Sequence, residues 1–225
     1  WQQFAVLRRI GNAFGVSDVM IGRFPEYAAL RNKFRTSGPD SLTEQDKREI
    51  KFWFYLAQFD PDFLEAPVKL ATKATVDITD LVSKGVDDIY TMRKTITEDD
   101  CNRIVAEAYK IMAAIIPLHK KLMYNPVKCE GQVEVLTTPY YHPILPLLYD
   151  SDLAKLCQPN DPMPPRFHYP QDAEAHVAKA IKEYKKMFGA EPTGMWPGEG
   201  SVAHDVVSVF AKQGIQWIAT DEKIL

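Results

Sequence analysis

The hydrophobic period of this chain changes near residue 130, and that change limits what it can fold into. Before it, apolar positions recur at helical spacing. Thr97-Glu98-Asp99-Asp100 is a helix start, and behind it Ile104, Ala108, Ile111 and Ile115 share the face that a helix turns to a core. Pro117 kinks or ends that helix, with Leu118 to Met123 available to continue it. Upstream, Ser41-Leu42-Thr43-Glu44 has the capping-box form, in which the first hydroxyl satisfies a free amide and the Glu reaches back. A helix is predicted from there towards Gln58. It stops at Phe59-Asp60-Pro61-Asp62, because the residue before a proline avoids the helical region.

Beyond residue 130 the pattern alternates instead. Val133, Val135 and Thr137 alternate with Gln132, Glu134 and Leu136, which predicts a strand after Gly131. A proline-rich loop runs from Gln158 to Pro170, and a helix follows from about Asp172 to Phe188, with Val177, Ile181, Tyr184 and Phe188 on one face and Gly189 as its stop. A short strand near Thr193 to Trp196, a helix from Val202 to Gln213 and a buried strand Gln216 to Thr220 complete the order β, α, β, α, β. Such alternation makes parallel crossovers, hence an α/β sheet or barrel with ligands at the carboxyl ends of its strands. The division predicted is a mainly helical region, 1–129, packed on a βαβαβ portion, 130–225, within one incomplete catalytic domain.

Composition narrows the function classes. The 225 residues are 46% hydrophobic, enough to bury a core, and the 27 Lys and Arg are balanced by 30 Asp and Glu without a basic block, so no nucleic-acid surface is expected. The longest apolar run before a proline, Ile111 to Ile116, is far short of the roughly 20 residues that span a bilayer, so no membrane partner is expected. Three cysteines without a C-x-x-C pair make no disulfide framework. The first residue is Trp1 rather than methionine, which suggests a piece of a longer protein or an amino terminus removed. The compartment, cytoplasmic or secreted, stays open.

Two segments stand out chemically. In Gly194-Met195-Trp196-Pro197-Gly198-Glu199-Gly200-Ser201, a carboxylate sits between two glycines, just past a strand end and before a helix whose predicted N-cap is Ser201. The glycines let a ligand approach, Trp196 offers a flat face of the kind sugars stack on, and the helix start favours ionised Glu. An ionised carboxylate there suits nucleophilic attack on an anomeric carbon. From spacing alone, an exposed loop acid is an equal reading of Glu199. The other segment is Gly131 to Pro143, where Glu134 lies on the strand face opposite Val133 and Val135, and Tyr140-Tyr141-His142 forms an aromatic turn that either lines a pocket or packs the proline-rich loop. The five histidines form no H-x-H, H-x-x-x-H or H-E-x-x-H, so no metal site is predicted. G-x-S-x-G, P-loop and G-x-G-x-x-G motifs are missing too.

Gly131 to Leu148, through Thr138-Pro139-Tyr140-Tyr141-His142-Pro143-Ile144-Leu145-Pro146, together with Gly194 to Ser201, resembles glycoside hydrolase family 57, most closely its amylopullulanase and α-amylase-like members. Phe52 to Leu64 and Trp217 to Glu222 support it, so the resemblance covers nearly the whole chain. It implies an incomplete (β/α)7 barrel and a retaining enzyme on α-glucans with α-1,4 or α-1,6 linkages, needing no cofactor. Glu199 matches the catalytic nucleophile, Trp196 a neighbouring aromatic, Glu134 a substrate-binding acid and His142 its adjoining loop. The family's His-Gln-Pro motif and its later acid/base Asp are not in the sequence, so the chain alone is expected to be inactive. Alternatives are a 4-α-glucanotransferase or branching activity, a non-catalytic glucan-binding or structural module, and a polysaccharide deacetylase-like barrel, which needs a His/Asp metal set.

Overall fold

A computed structural model describes residues 13–125 and 128–222. Its contacts cluster into two compact units, Trp1–Leu118 and His119–Leu225. The dividing point falls inside one long helix, earlier than the change of sequence period.

In the first unit, helix α1 (Asp18–Gly22) starts at Ser17, whose hydroxyl accepts from the Met20 amide. Helix α2 (Pro25–Ser37) opens on a proline, which costs no hydrogen bond at that position. Helix α3 (Glu44–Leu56) has its capping box two residues later than the sequence suggests. Thr43 and Asp46 form it, with the Asp46 amide on Thr43 Oγ1 at 3.1 Å and the Thr43 amide on Asp46 Oδ2 at 2.7 Å. Ser41 instead closes a 3-10 turn, its hydroxyl donating to the Gly38 carbonyl. Both spacings satisfy the same pattern, and only one can start the helix. Ile50, Phe52, Trp53 and Leu56 turn inward from α3, and Asp60 then caps helix α4 (Pro61–Glu65).

Between α4 and the next helix the chain is not helical. Strands β1 (Val68–Lys69) and β2 (Thr75–Val76) form one antiparallel hairpin, and β3 (Val82–Lys84) and β4 (Tyr90–Met92) form another. Strands of two or three residues are too short for alternation to register in sequence. Their Val76, Val82 and Tyr90 join Trp53, Phe24 and Ile104 in one core.

Helix α5 (Glu98–Leu122) starts where predicted and runs through Pro117. Thr97 and Asp100 cap reciprocally, and Lys94 Nζ lies 2.8 Å from Asp100 Oδ1. Burial raises the Asp100 pKa, but the bonds from Lys94 and Thr97 outweigh it and hold the carboxyl at about 2. The expected core stripe is only partly buried: Ile104 is enclosed, Ala108 and Ile111 are half-covered, and Ile115 is exposed.

In the second unit, helix α6 (Leu145–Tyr149), helix α7 (Pro170–Phe188) and helix α8 (His204–Lys212) surround strands β5 (Gly194–Met195) and β6 (Trp217–Ile218). Leu145, Val177, Met195, Val206 and Phe210 form their core. The two strands pair in parallel, Gly194 with Trp217 and Met195 with Ile218, across α8. Gly194 permits this, because a Cβ there would lie 2.1 Å from the Trp217 ring.

The expected strand 133–137 is reduced to single bridges, the informative one being Thr137 to Met195, also parallel, with the Trp196 amide on the Thr137 carbonyl at 2.8 Å. A two-residue neighbour offers no longer ladder. Strand β6 is shorter than Gln216 to Thr220, and Trp217 is exposed rather than buried. The fold is therefore a mixed α/β arrangement of helices and two-stranded sheets, with no closed barrel among the described residues. Closure requires every strand to pair on both edges, and β6 is paired only with β5.

Candidate active site

Two loops follow the parallel-bridged positions Thr137 and Met195. They touch at Gly198, where a Cβ would sit 2.2 Å from the Pro143 carbonyl oxygen. That absent side chain allows the crossing. Beyond it, Glu199 has φ +57 and Gly200 φ +66, and in the facing loop Tyr141 has φ +65 and His142 φ +55. Left-handed backbone costs a non-glycine residue about 1 kcal/mol or more and persists only where the surroundings impose it. Here it aims Glu199 at His142.

The contact is direct. Glu199 Oε1 lies 3.3 Å from His142 Nε2, and the Glu199 amide lies 3.4 Å from the same nitrogen. His142 Nδ1 is 2.9 Å from Thr138 Oγ1. The imidazole can therefore serve in either tautomer. With hydrogen on Nδ1 it donates to Thr138 and accepts from the Glu199 amide; with hydrogen on Nε2 it donates to the carboxylate and accepts from the Thr138 hydroxyl. Thr138 lies within the aromatic-turn motif, but its role there was not legible. Its place four residues before His142 was the only signal.

Trp196 leaves β5 just before this loop and is 40% exposed. Its ring packs over Gly200, where a Cβ would be 3.4 Å away, and Thr220 Oγ1 donates to the Gly200 carbonyl at 2.6 Å, tying the end of β6 to the loop. Ser201 does not cap α8, whose N-cap is Ala203. The carboxylate of Glu199 is accordingly not held by a helix start, and its side chain is 69% exposed.

Glu134 does not join this group. Its Oε1 accepts from Thr193 Oγ1 and, at 3.2 Å, from Trp217 Nε1. Since Thr137 is level with Met195, Glu134 stands three residues back along its segment, about 10 Å towards the amino-terminal ends of the strands. Tyr140, the half-buried member of the aromatic turn, is held through its carbonyl by His176 Nδ1.

Cys101 is buried, and burial pushes its thiol up to about 11, so it stays protonated at neutral pH. No three metal-ligating side chains converge among the described residues. No helix there is long and apolar enough to cross a membrane.

An accessible carboxylate, an imidazole and an exposed indole at the carboxyl ends of parallel-paired segments are chemically suited to a polyhydroxyl ligand. Residues 26–224 match the model of glycosyl hydrolase family 57, and the chain belongs to that family. It is a glycoside hydrolase, and carbohydrate is its substrate class. Comparison with curated proteins gave no match.

Proposed function

We propose that the chain carries the nucleophile half of a retaining α-glucan hydrolase, with Glu199 as the nucleophile. The observation that carries this reading is the Glu199–His142 contact across two loops of a family 57 chain. Glu199 attacks the anomeric carbon while a second carboxyl group protonates the leaving glycosidic oxygen. Water then resolves the covalent glycosyl-enzyme with net retention, and the second carboxyl group removes the water's proton. His142, donating through Nε2, stabilises Glu199 as a carboxylate before attack and as a leaving group at the second step. Trp196 supplies a flat face for a sugar ring, and Glu134 is a substrate-binding acid further along the glucan. The second carboxyl group is an aspartate that the family resemblance implies.

The parallel pairing of β5 with β6, together with the Thr137–Met195 bridge, supports a place within an incomplete (β/α)7 barrel. The test is Glu199→Gln in the complete enzyme, assayed on starch and pullulan with product anomers followed. Loss of turnover with glucan binding retained is expected, and undiminished turnover removes Glu199 from the reaction.

A further inference from the structure

Tyr141 is a large aromatic side chain that the fold spends backbone strain to expose. The residue is 80% exposed, yet its φ is +65, a conformation unfavourable for a bulky side chain. The loop is held on both sides. The His142 amide donates to the Pro139 carbonyl at 2.8 Å, and the Tyr140 amide to the His176 carbonyl at 3.1 Å. The ring packs nearly perpendicular to Tyr140, with centroids 4.4 Å apart and planes at 68°, and to His176 of α7, at 6.2 Å and 69°. Lys179 Nζ, also from α7, lies 4.0 Å from the Tyr140 centroid and 5.3 Å from that of Tyr141. A ring braced this way and left open to solvent is preorganised for a flat apolar ligand face, and it loses little freedom on binding.

Its neighbour in the chain is His142, one Cα step of about 3.8 Å away, and His142 touches Glu199. Trp196, on the other loop, packs over Gly200, the residue after Glu199. We infer that Tyr141 is a second sugar-stacking platform, holding a glucose unit of a long α-glucan next to the units at Trp196 and Glu199, and so setting a preference for longer chains. This rests on the α-glucan reading proposed above.

The test is titration of the full chain with maltose and with maltoheptaose. Glycine accepts φ +65 without steric cost, so Tyr141→Gly removes the ring and keeps the turn, while Tyr141→Phe keeps the ring. Tyr141→Asn, which also tolerates this backbone, repeats the comparison should the glycine variant fold poorly. The ratio of maltoheptaose to maltose affinity is expected to fall about tenfold in the Gly and Asn variants, the size of one stacked ring, and to stay within about twofold in Tyr141→Phe. An unchanged ratio in the Gly and Asn variants overturns the platform while leaving the α-glucan reading intact. Failure of the unaltered protein to bind either sugar overturns both.

Discussion

Glu199 and His142, 57 residues apart in sequence, meet with Oε1 and Nε2 3.3 Å from one another because Gly198 lets one loop lie against the Pro143 carbonyl of the other. The acid was visible in its motif, and so was the histidine in its own. Their pairing depends on the side chain that Gly198, the residue before Glu199, lacks.

Removing the imidazole tests what that pairing contributes. A hydrogen bond to a charged group is worth about 1.5–3 kcal/mol. His142→Ala in the complete enzyme is therefore expected to lower kcat/KM by about tenfold to a hundredfold. Thr138→Val, which removes only the partner of Nδ1, is expected to cost about fivefold. Steady-state kinetics on maltooligosaccharides read both, and equal losses from the two substitutions contradict the ordering.

Gly198→Ala isolates the loop crossing. The added Cβ meets backbone rather than a flexible side chain, 2.2 Å from an oxygen, so the loops must separate. Overpacking of this kind costs about 1–3 kcal/mol. A lower urea midpoint together with a loss of turnover is expected. A variant as stable and active as the original shows that the contact is not needed.

Glu134 can be separated into its structural and binding parts. An amide oxygen accepts from Thr193 and Trp217 as a carboxylate does, so Glu134→Gln is expected to keep stability within about 1 kcal/mol. A severalfold drop in glucan affinity is expected in the same variant through loss of charge. Calorimetric titration checks it, and unaltered affinity assigns Glu134 to structure alone.

Asp100 makes the first unit acid-sensitive. Its carboxyl is held at about 2 against an ordinary 3.8. A depressed carboxyl contributes stability that is complete above its unfolded pKa and is lost as pH falls through the folded one. About 2 kcal/mol is expected to disappear between roughly pH 4 and pH 2. Urea unfolding across that range should show a steeper decline for the original protein than for Asp100→Asn, and parallel declines refute the assignment.

Local chemistry made part of the fold legible. Thr97 and Asp100 start a helix as their spacing requires, Gly189 ends one, and Val177 and Tyr184 face inward at helical intervals. These outcomes depend on residues a few positions apart. The hairpins at 68–76 and 82–92 are not legible in the sequence, because two- and three-residue strands leave too short a pattern. The strand expected at 133–137 failed for the converse reason. Its residues favour a strand, but a strand exists only against a neighbour, and β5 offers one bridge.

The sequence by itself determined the Thr97–Asp100 cap, the stop at Gly189, the parallel order in the second unit, and the family, through the runs around His142 and Glu199. Tertiary structure alone decided that Thr138, His142 and Glu199 form a chain of contacts while Glu134 is bonded to Thr193 and Trp217 instead. Composition and spacing act along the chain, whereas these contacts follow from where two loops cross, and a crossing is set by packing between residues that are distant in sequence.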